Sequence, residues 1–159
     1  MKVALVMGSK SDYPALEKAE TALKDFGVDY DVRVISAHRT PKIAEEFAQN
    51  AEKNGYEVII AAAGKAAHLA GVIAGNTPLP VIGIPMKTSD LGGMDSLLSV
   101  VQMPSGVPVA TVAIGGAQNA ALLAVQILSV KYPELREAFK QYKKKMEQDI
   151  IAIDEEISK

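Results

Sequence analysis

Residues 3–12 read VALVMGSKSD, an uninterrupted apolar run followed at once by a loop of Gly, Ser, Lys and Asp. An apolar run without alternation is typical of a strand that is covered on both faces. Behind the polar loop, apolar residues recur from Leu16 to Phe26 at the three- and four-residue spacing of an amphipathic helix, which Gly27 ends. The opening of the chain therefore predicts a strand–loop–helix unit with a polar loop at the carboxyl end of its strand.

This alternation of strand and helix continues along the chain. Further strands are predicted at 30–35, 58–63, 81–84 and 109–114. Helices are predicted at 41–53, 66–74, 94–102 and 119–128. Strands that alternate with helices build a parallel sheet with helices on both faces. We therefore predict a three-layer α/β fold, flavodoxin-like or Rossmann-like, with about five parallel strands.

Two of the predicted helices carry a local signal of their own. Thr40 and Pro41 fit the N-cap and the first position of the helix that follows them. In the helix at 94–102, Leu97, Leu98 and Val101 fall on one apolar face. We therefore expect the helix at 41–53 to begin at Pro41. The helix at 94–102 is expected to have one apolar face.

The composition of the chain changes after Pro133. Residues 134–158 are rich in charge, and apolar residues recur among them at spacings of three and four, as in one long amphipathic helix. We expect residues 1–159 to form a single α/β domain, with the sheet core in 1–130 and a C-terminal helix in 131–159. A long amphipathic helix outside a compact core packs either on another subunit or on its own domain, and we expect the first of these here.

The bulk composition excludes several classes of protein. The chain has 159 residues, 48% of them hydrophobic and 23% charged, with a net charge of −2. This balance lacks the basic surplus of a nucleic-acid-binding protein. No apolar stretch reaches the length of a membrane span, and the run at the N-terminus is too short for a signal peptide. Together with the lack of cysteine, these features favour a cytoplasmic protein.

The polar residues of the chain collect where the predicted strands end. Parallel α/β sheets bind ligands at the carboxyl ends of their strands, near the point where the strand order reverses. The loops at those ends contain both histidines and many of the Ser, Thr and Gly residues; they lie at 8–12, 36–40, 63–68, 85–89 and 115–119. The sequence therefore predicts a ligand site built from these loops.

The loop at 8–12 has the features of an anion site. Backbone amides and serine hydroxyls at the start of a helix suit a phosphate, and Asp12 suits the hydroxyls of a ribose. The loop matches neither GxxxxGK[ST] nor GxGxxG, so a triphosphate or a dinucleotide is not predicted. The alternative is that Ser11 or Asp12 only caps the helix.

The loop after the second predicted strand places His38 beside Arg39. The guanidinium of Arg39 offers several donors to a phosphate. An imidazole gains and loses its proton near neutral pH, which suits general acid–base catalysis by His38. The alternative for His38, and equally for His68, is a structural hydrogen bond. The sequence contains no cluster of metal-ligand residues and no GxSxG motif, so a metal centre and a serine hydrolase are not predicted.

Five segments of the chain carry a family resemblance. They are GSKSD (8–12), SAHRTP (36–41), AAHL (66–69), DSLLSVVQMPSGVPVAT (95–111) and NAALLA (119–124). In this order and spacing they resemble the class I 5-(carboxyamino)imidazole ribonucleotide mutase family. The resemblance implies an isomerase of purine (IMP) biosynthesis that moves a carboxylate from the exocyclic amine of an aminoimidazole ribonucleotide to ring carbon C4. It implies no metal and no organic cofactor.

The resemblance also implies roles for individual residues. His38 matches the general acid–base residue, which protonates the carbamate nitrogen and later removes the C4 proton, while the CO2 stays in the site. The substrate-binding residues it implies are Ser9, Ser11, Asp12, Ser36, Ala37, Arg39, Gly64, Lys65, His68 and Leu69. The expected partners are the ribonucleotide and further copies of the chain, in an octamer, with no nucleic acid and no membrane.

The third loop departs from the family pattern, which is usually GGAAHLPG. Here Lys65 stands at the second Gly and Ala70 at the Pro. Lys65 adds bulk and charge near the expected carboxylate site, unless its side chain turns to solvent or binds the carboxylate. Two alternative functions remain open. One is the sister activity, which carboxylates the aminoimidazole ribonucleotide directly with CO2, and the other is a non-catalytic ribonucleotide-binding module.

Overall fold

The computed structural model describes residues 1–158, which contain one five-stranded sheet flanked by helices. The strands are β1 (Lys2–Met7), β2 (Asp29–Val34), β3 (Val58–Ala63), β4 (Val81–Pro85) and β5 (Ala110–Thr111). The helices are α1 (Tyr13–Asp25), α2 (Pro41–Asn50), α3 (Leu69–Ala74), α4 (Met94–Val101), α5 (Ala117–Leu128) and α6 (Pro133–Ile157). Lys159, the last residue of the predicted C-terminal segment, lies outside the described residues.

The strand order confirms the predicted flavodoxin-like fold. The order is β2-β1-β3-β4-β5, and each neighbouring pair is parallel. It is the order of the flavodoxin-like class of α/β sheets. The order reverses between β1 and β3, so the carboxyl ends of these two strands flank the crevice in which such sheets bind ligands.

Two apolar cores explain why β1 is apolar without alternation. Leu5 packs with α1 and α5 on one face of the sheet, whereas its neighbour Val6 packs with α2 and α3 on the other. Successive side chains of a strand point to opposite faces, so a strand with helices on both faces needs apolar residues throughout. The two cores fix the central strands and, through them, the loops at their carboxyl ends.

The fifth strand is shorter than the predicted 109–114. Ala110 and Thr111 pair with β4, and the chain then runs beside β4 through isolated bonds such as Val112 N to Gly83 O, at 3.2 Å. Residue Ile114 is 37% exposed. An apolar sequence shows that a segment favours extended backbone, but it does not show how far an edge strand keeps a regular ladder.

The second helix begins where it was predicted to, at Pro41, but it lacks a side-chain cap and ends earlier than predicted. Thr40 stands at the N-cap, but its hydroxyl accepts a hydrogen bond from Ser36 N at 3.1 Å and donates one to Ser36 O at 2.8 Å. It therefore makes no capping bond to the helix. The helix ends at Asn50 rather than near residue 53, and the chain turns through Gly55, which has a φ of +82°.

The apolar face predicted for α4 does not face the sheet. The buried residues of this helix are Ser96 and Val100, while Leu98 and Val101 are 50% and 48% exposed. The hydroxyl of Ser96 donates to Met86 O and Gly93 O, so this polar residue is satisfied in the interior. Those bonds turn the face of Leu98 and Val101 outward.

A glycine of β4 allows α4 to pack closely on the sheet. A Cβ on Gly83 would overlap Val100 Cγ1 and would lie 3.1 Å from Val109 Cγ1. We expect Gly83→Ala to lower the free energy of unfolding by about 1–3 kcal/mol through overpacking. Chemical denaturation measures this change. Gly75→Ala is the matched control, because a Cβ there meets only Gly71 O and Val72 O at 3.5 Å or more. Equal stability of the two variants would contradict the packing account.

The C-terminal helix leaves the domain after its first turns. Leu135 is buried, and Phe139 and Tyr142 pack with Phe26 at ring distances of 5.9 and 5.6 Å. Every residue of 143–157 is exposed, including several isoleucines. Among residues 1–158, no helix is both long and apolar enough to cross a membrane.

Candidate active site

A cleft of about 700 Å³ opens at the carboxyl ends of the first four strands. The residues predicted for the site that line it are Ser9, Ser11, Asp12, Ser36, Ala37, His38, Arg39, Gly64, Lys65 and Leu69. His68 reaches the same place through a hydrogen bond to His38. The structure thus brings the predicted residues together from three loops.

The first loop forms a short turn of 3-10 helix, Lys10–Asp12, before α1. The Ser9 hydroxyl oxygen accepts hydrogen bonds from Ser11 N at 3.4 Å and from the Ser11 hydroxyl at 3.0 Å. Asp12 stands at the N-cap of α1 but makes no side-chain capping bond. Burial raises the pKa of the Asp12 carboxyl, and a hydrogen bond with the Ser9 backbone partly opposes this. The carboxyl therefore lines the cleft rather than capping the helix.

The second loop is joined to the first by Arg39. Its Nη2 donates to Gly8 O at 2.7 Å, and its Nε donates to Ser36 Oγ at 3.2 Å. Ser36 Oγ also accepts from Arg39 N at 3.2 Å. Two of the guanidinium nitrogens are thus held by the protein, which fixes the plane of this exposed group where it lines the cleft. Donors that remain can reach an anion bound there.

The two histidines form a pair. His38 Nε2 lies 2.9 Å from His68 Nδ1, and the rings stand nearly perpendicular with centroids 5.0 Å apart. One nitrogen donates and the other accepts, according to the tautomer. Both residues are exposed. Parallel topology explains the meeting, because the loops after β2 and β3 lie on either side of the loop after β1.

Lys65 adopts an unusual backbone conformation in the third loop. Its φ is +55°, the left-handed region, which side-chain-bearing residues seldom adopt. Its Nζ lies 2.9 Å from Asp90 Oδ2, and the hydrogen bond and charge of that carboxylate raise the pKa of Lys65. The same contact lowers the pKa of Asp90. The ammonium is thus bound by Asp90 at the surface and does not fill the interior of the cleft.

The fourth loop, which was among the predicted site loops, supplies three lining residues that were not named individually in the prediction. They are Lys87, Thr88 and Ser89, which follow β4. The hydroxyl of Thr88 donates to Asp95 Oδ1 at 2.7 Å and accepts from Gly93 N at 3.1 Å. Their position after the fourth predicted strand was the available signal. The fifth loop, at 115–119, does not line the cleft.

The charges that line the cleft favour an anionic ligand. The charged residues that line the cleft are three cations, Arg39, Lys65 and Lys87, and one acid, Asp12, although Lys65 is already paired with Asp90. A phosphate bound near Arg39 would find both charge and donors there. Within residues 1–158, no group of three or more His, Asp or Glu side chains is placed to hold a metal ion.

Fold and cleft together define a flavodoxin-like α/β enzyme with a predominantly cationic cleft and an imidazole pair at the crossover of its sheet. The AIR carboxylase family model matches residues 2–149. An N5-carboxyaminoimidazole ribonucleotide mutase of Saccharolobus solfataricus is 57% identical over 151 residues, which cover 95% of this chain and 96% of the relative. One of Mycobacterium tuberculosis is 50% identical over 158 residues, covering 99% and 91%.

The solved structures agree with the sequence relatives. The crystal structure of Treponema denticola PurE superposes with a TM-score of 0.90 at 31% identity, covering 99% of both chains. The chain belongs to the AIR carboxylase family. This confirms the family resemblance drawn from the five sequence segments.

Proposed function

We propose that this chain is an N5-carboxyaminoimidazole ribonucleotide mutase, an isomerase of purine biosynthesis. One observation carries the proposal: a histidine pair lies beside an arginine-bearing anion site in a chain 57% identical, over nearly all its length, to a relative named for that reaction. The substrate carries a carboxylate on its exocyclic nitrogen, as a carbamate. The product carries it on ring carbon C4.

The proposed reaction needs one group that gives a proton and then takes one back. Protonated His38 donates to the carbamate nitrogen, and the N–C bond breaks to leave the free amine and CO2. Ring carbon C4 then attacks the CO2 to form the new C–C bond. His38, now neutral, removes the C4 proton, so the ring regains its aromaticity and the enzyme its starting state. No proton is gained or lost overall.

The other residues of the site are proposed to hold the substrate still. Arg39, with Ser9, Ser11 and Ser36, binds the phosphate in the cleft. Asp12 accepts hydrogen bonds from the ribose. Phosphate binding then places the ring at a fixed distance from His38, which lowers the entropic part of the barrier.

The third loop completes the proposed site. His68 holds the His38 ring through their mutual hydrogen bond. Gly64, Ala37 and Leu69 line the space for the carboxylate or CO2, where small or apolar groups leave room for a neutral molecule. Lys65 stands at the edge of this space.

Comparing two substrates tests the proposed reaction. The purified chain is supplied either with the carbamate ribonucleotide or with the free aminoimidazole ribonucleotide plus bicarbonate. We expect rapid product formation from the first. Product from the second alone would favour direct carboxylation, the activity in the description of the family. Binding without turnover of either substrate would favour a ribonucleotide-binding module.

The raised pKa of Asp12 predicts how binding depends on pH. At neutral pH the carboxylate accepts from the ribose, and Asp12→Asn should weaken product binding about 10- to 100-fold. As the pH falls, the Asp12 carboxyl gains its proton at a higher pH than an ordinary aspartate, whose pKa is 3.8. The ratio of the two dissociation constants should therefore fall towards one as the solution becomes acidic. Calorimetric titration of both proteins measures that ratio, and the ligand's own titration cancels. A ratio independent of pH would contradict the role of Asp12.

We further propose that the chain works as a homo-octamer in the cytoplasm, where phosphorylated nucleotide precursors are made. Apolar surface supports the assembly, since Leu98 and Val101 on α4 and Ile150 and Ile157 on α6 are between 48% and 78% exposed in the single chain. Apolar patches of this kind mark subunit interfaces. Sedimentation should give a mass of eight chains, and a monomer that is fully active would contradict the assembly.

A further inference from the structure

The backbone of Lys65 is strained for a lysine. It is the one residue other than glycine with a positive φ among residues 1–158. Glycine adopts this conformation at no steric cost, whereas a side chain makes it unfavourable. Strained residues persist where the surrounding structure holds them, often beside functional sites. The lysine side chain therefore calls for an explanation other than local backbone preference.

The contacts of Lys65 add too little stability to explain why a lysine occupies this left-handed position. Its ion pair with Asp90 lies at the surface, and the side chains are 71% and 63% exposed. Exposed pairs of this kind contribute little to the folding equilibrium. The pair does join two separate walls of the cleft, the loop between β3 and α3 and the loop between β4 and α4.

The outer part of the second of these loops has few other attachments. Its base is held by Thr88 and Ser96. Of the side-chain bonds made by residues 89–92 in the described chain, only that of Asp90 with Lys65 crosses to another loop. Leu91 at its tip is 65% exposed. The ion pair is thus the side-chain contact that attaches this outer segment to the β3–α3 loop, whereas α4 itself reaches that loop through Ser99 Oγ, which donates to Lys65 O at 3.4 Å.

The loop of Lys65 also carries the imidazole pair. Lys65 O accepts a hydrogen bond from Ala67 N, and Ala66 O accepts one from His68 N, both at 2.8 Å. These tight turns transmit the position of Lys65 to His68, which bonds His38. A displacement of Lys65 would thus change both the wall of the cleft and the support of His38.

We propose that Lys65 is a positioning residue, whose ion pair with Asp90 holds the β4–α4 loop against the β3–α3 loop and so retains the CO2 released during turnover. This inference rests on the proposed function. CO2 has no charge and accepts only weak hydrogen bonds, so closed walls retain it better than any single contact. A wall that opens lets CO2 escape and leaves the free aminoimidazole ribonucleotide as a dead-end product.

The test measures the fraction of carbamate substrate that ends as free amine and CO2 rather than as C4-carboxylated product. Lys65→Gly removes the charge and relieves the strained backbone, whereas Asp90→Asn removes only the partner charge. Both variants should raise the escaping fraction by up to about fivefold, the range expected for an exposed ion pair. The double variant should leak no more than either single one, because both remove the same interaction. Lys65→Arg, which keeps the charge, should leak less than Lys65→Gly.

Two controls separate this role from a general effect. Lys145→Gln breaks an exposed ion pair with Asp149 on α6, away from the cleft, and should leave the escaping fraction unchanged. Thermal unfolding of Lys65→Gly should show no loss of stability, because glycine suits the left-handed backbone. A direct contact of Lys65 with substrate would instead raise KM in Lys65→Gly but not in Asp90→Asn, and that result would overturn the proposal.

Hydrogen exchange of the free protein distinguishes a failure of the proposed function from a failure of the role proposed for Lys65. Amides of residues 89–92 should exchange faster in Lys65→Gly and in Asp90→Asn than in the unaltered chain. If the unaltered chain transfers no carboxylate, the proposed function fails, while the exchange rates still test the loop attachment. If it transfers carboxylate and neither variant leaks more or exchanges faster, the role of Lys65 is wrong.

Discussion

Replacing His38 with asparagine is expected to reduce kcat for carboxylate transfer by about 10²–10⁴-fold, the usual contribution of a general acid–base group. Asparagine can keep a hydrogen bond to His68 but cannot carry a proton to the carbamate nitrogen or remove one from C4. Because His38 is exposed in its loop, the change should leave the fold intact. Steady-state kinetics with the carbamate ribonucleotide measure the effect.

The same variant tells a catalytic role from a structural one. Product binding to His38→Asn should stay close to that of the unaltered chain, because the proposed phosphate and ribose contacts come from other residues. Thermal unfolding provides the check on folding. A variant that retains more than about a tenth of the original kcat would exclude His38 as the proton-transfer group.

The second large effect is expected at Arg39. Arg39→Met removes a charge-assisted hydrogen bond to phosphate, so KM should rise about 10- to 100-fold, with a smaller change in kcat. Part of the loss comes from the bonds to Gly8 and Ser36, which hold the first two loops together. Arg39→Lys keeps the charge but loses the fork of donors, so its KM should lie between those of Arg39→Met and the unaltered chain.

A substrate without its phosphate is the control for Arg39. The dephosphorylated nucleoside should lose much less affinity in Arg39→Met than the phosphorylated substrate does, and its remaining loss reports the bonds to Gly8 and Ser36. Arg33→Met serves as a matched surface variant, because Arg33 lies on β2 outside the cleft and stacks over Phe47 at 5.8 Å. A KM in Arg39→Met equal to that in Arg33→Met would contradict phosphate binding by Arg39.

Much of the fold could be predicted because its signals are local. The strands at the centre of the sheet are apolar on both faces, and β3 was predicted with its observed bounds, Val58–Ala63. The edge strand β5 was too long in the prediction because an edge has a partner on one side only. Apolar spacing did not show which face of α4 packs on the sheet, because buried hydrogen bonds of Ser96 orient that helix.

The sequence predicted which loops form the candidate site, but it did not predict the contacts between those loops. Loop position alone placed Asp12, His38 and Arg39 at one edge of the sheet. Sequence spacing did not show that His38 bonds His68, or that Lys65 turns to Asp90, because those partners are far apart along the chain. The sequence left open whether Lys65 fills the carboxylate site, turns to solvent or binds the carboxylate. In the structure its side chain is largely exposed and paired with Asp90.

The central claim is that one carboxylate travels from nitrogen to carbon without leaving the site, and isotope labelling tests it most directly. The carbamate ribonucleotide is labelled with ¹³C in its carboxylate and turned over in buffer that contains unlabelled CO2 and bicarbonate. The account predicts that the C4 carboxylate of the product carries the ¹³C label during the initial turnovers. A product carboxylate that matches the unlabelled pool would contradict it and would establish carboxylation from dissolved CO2.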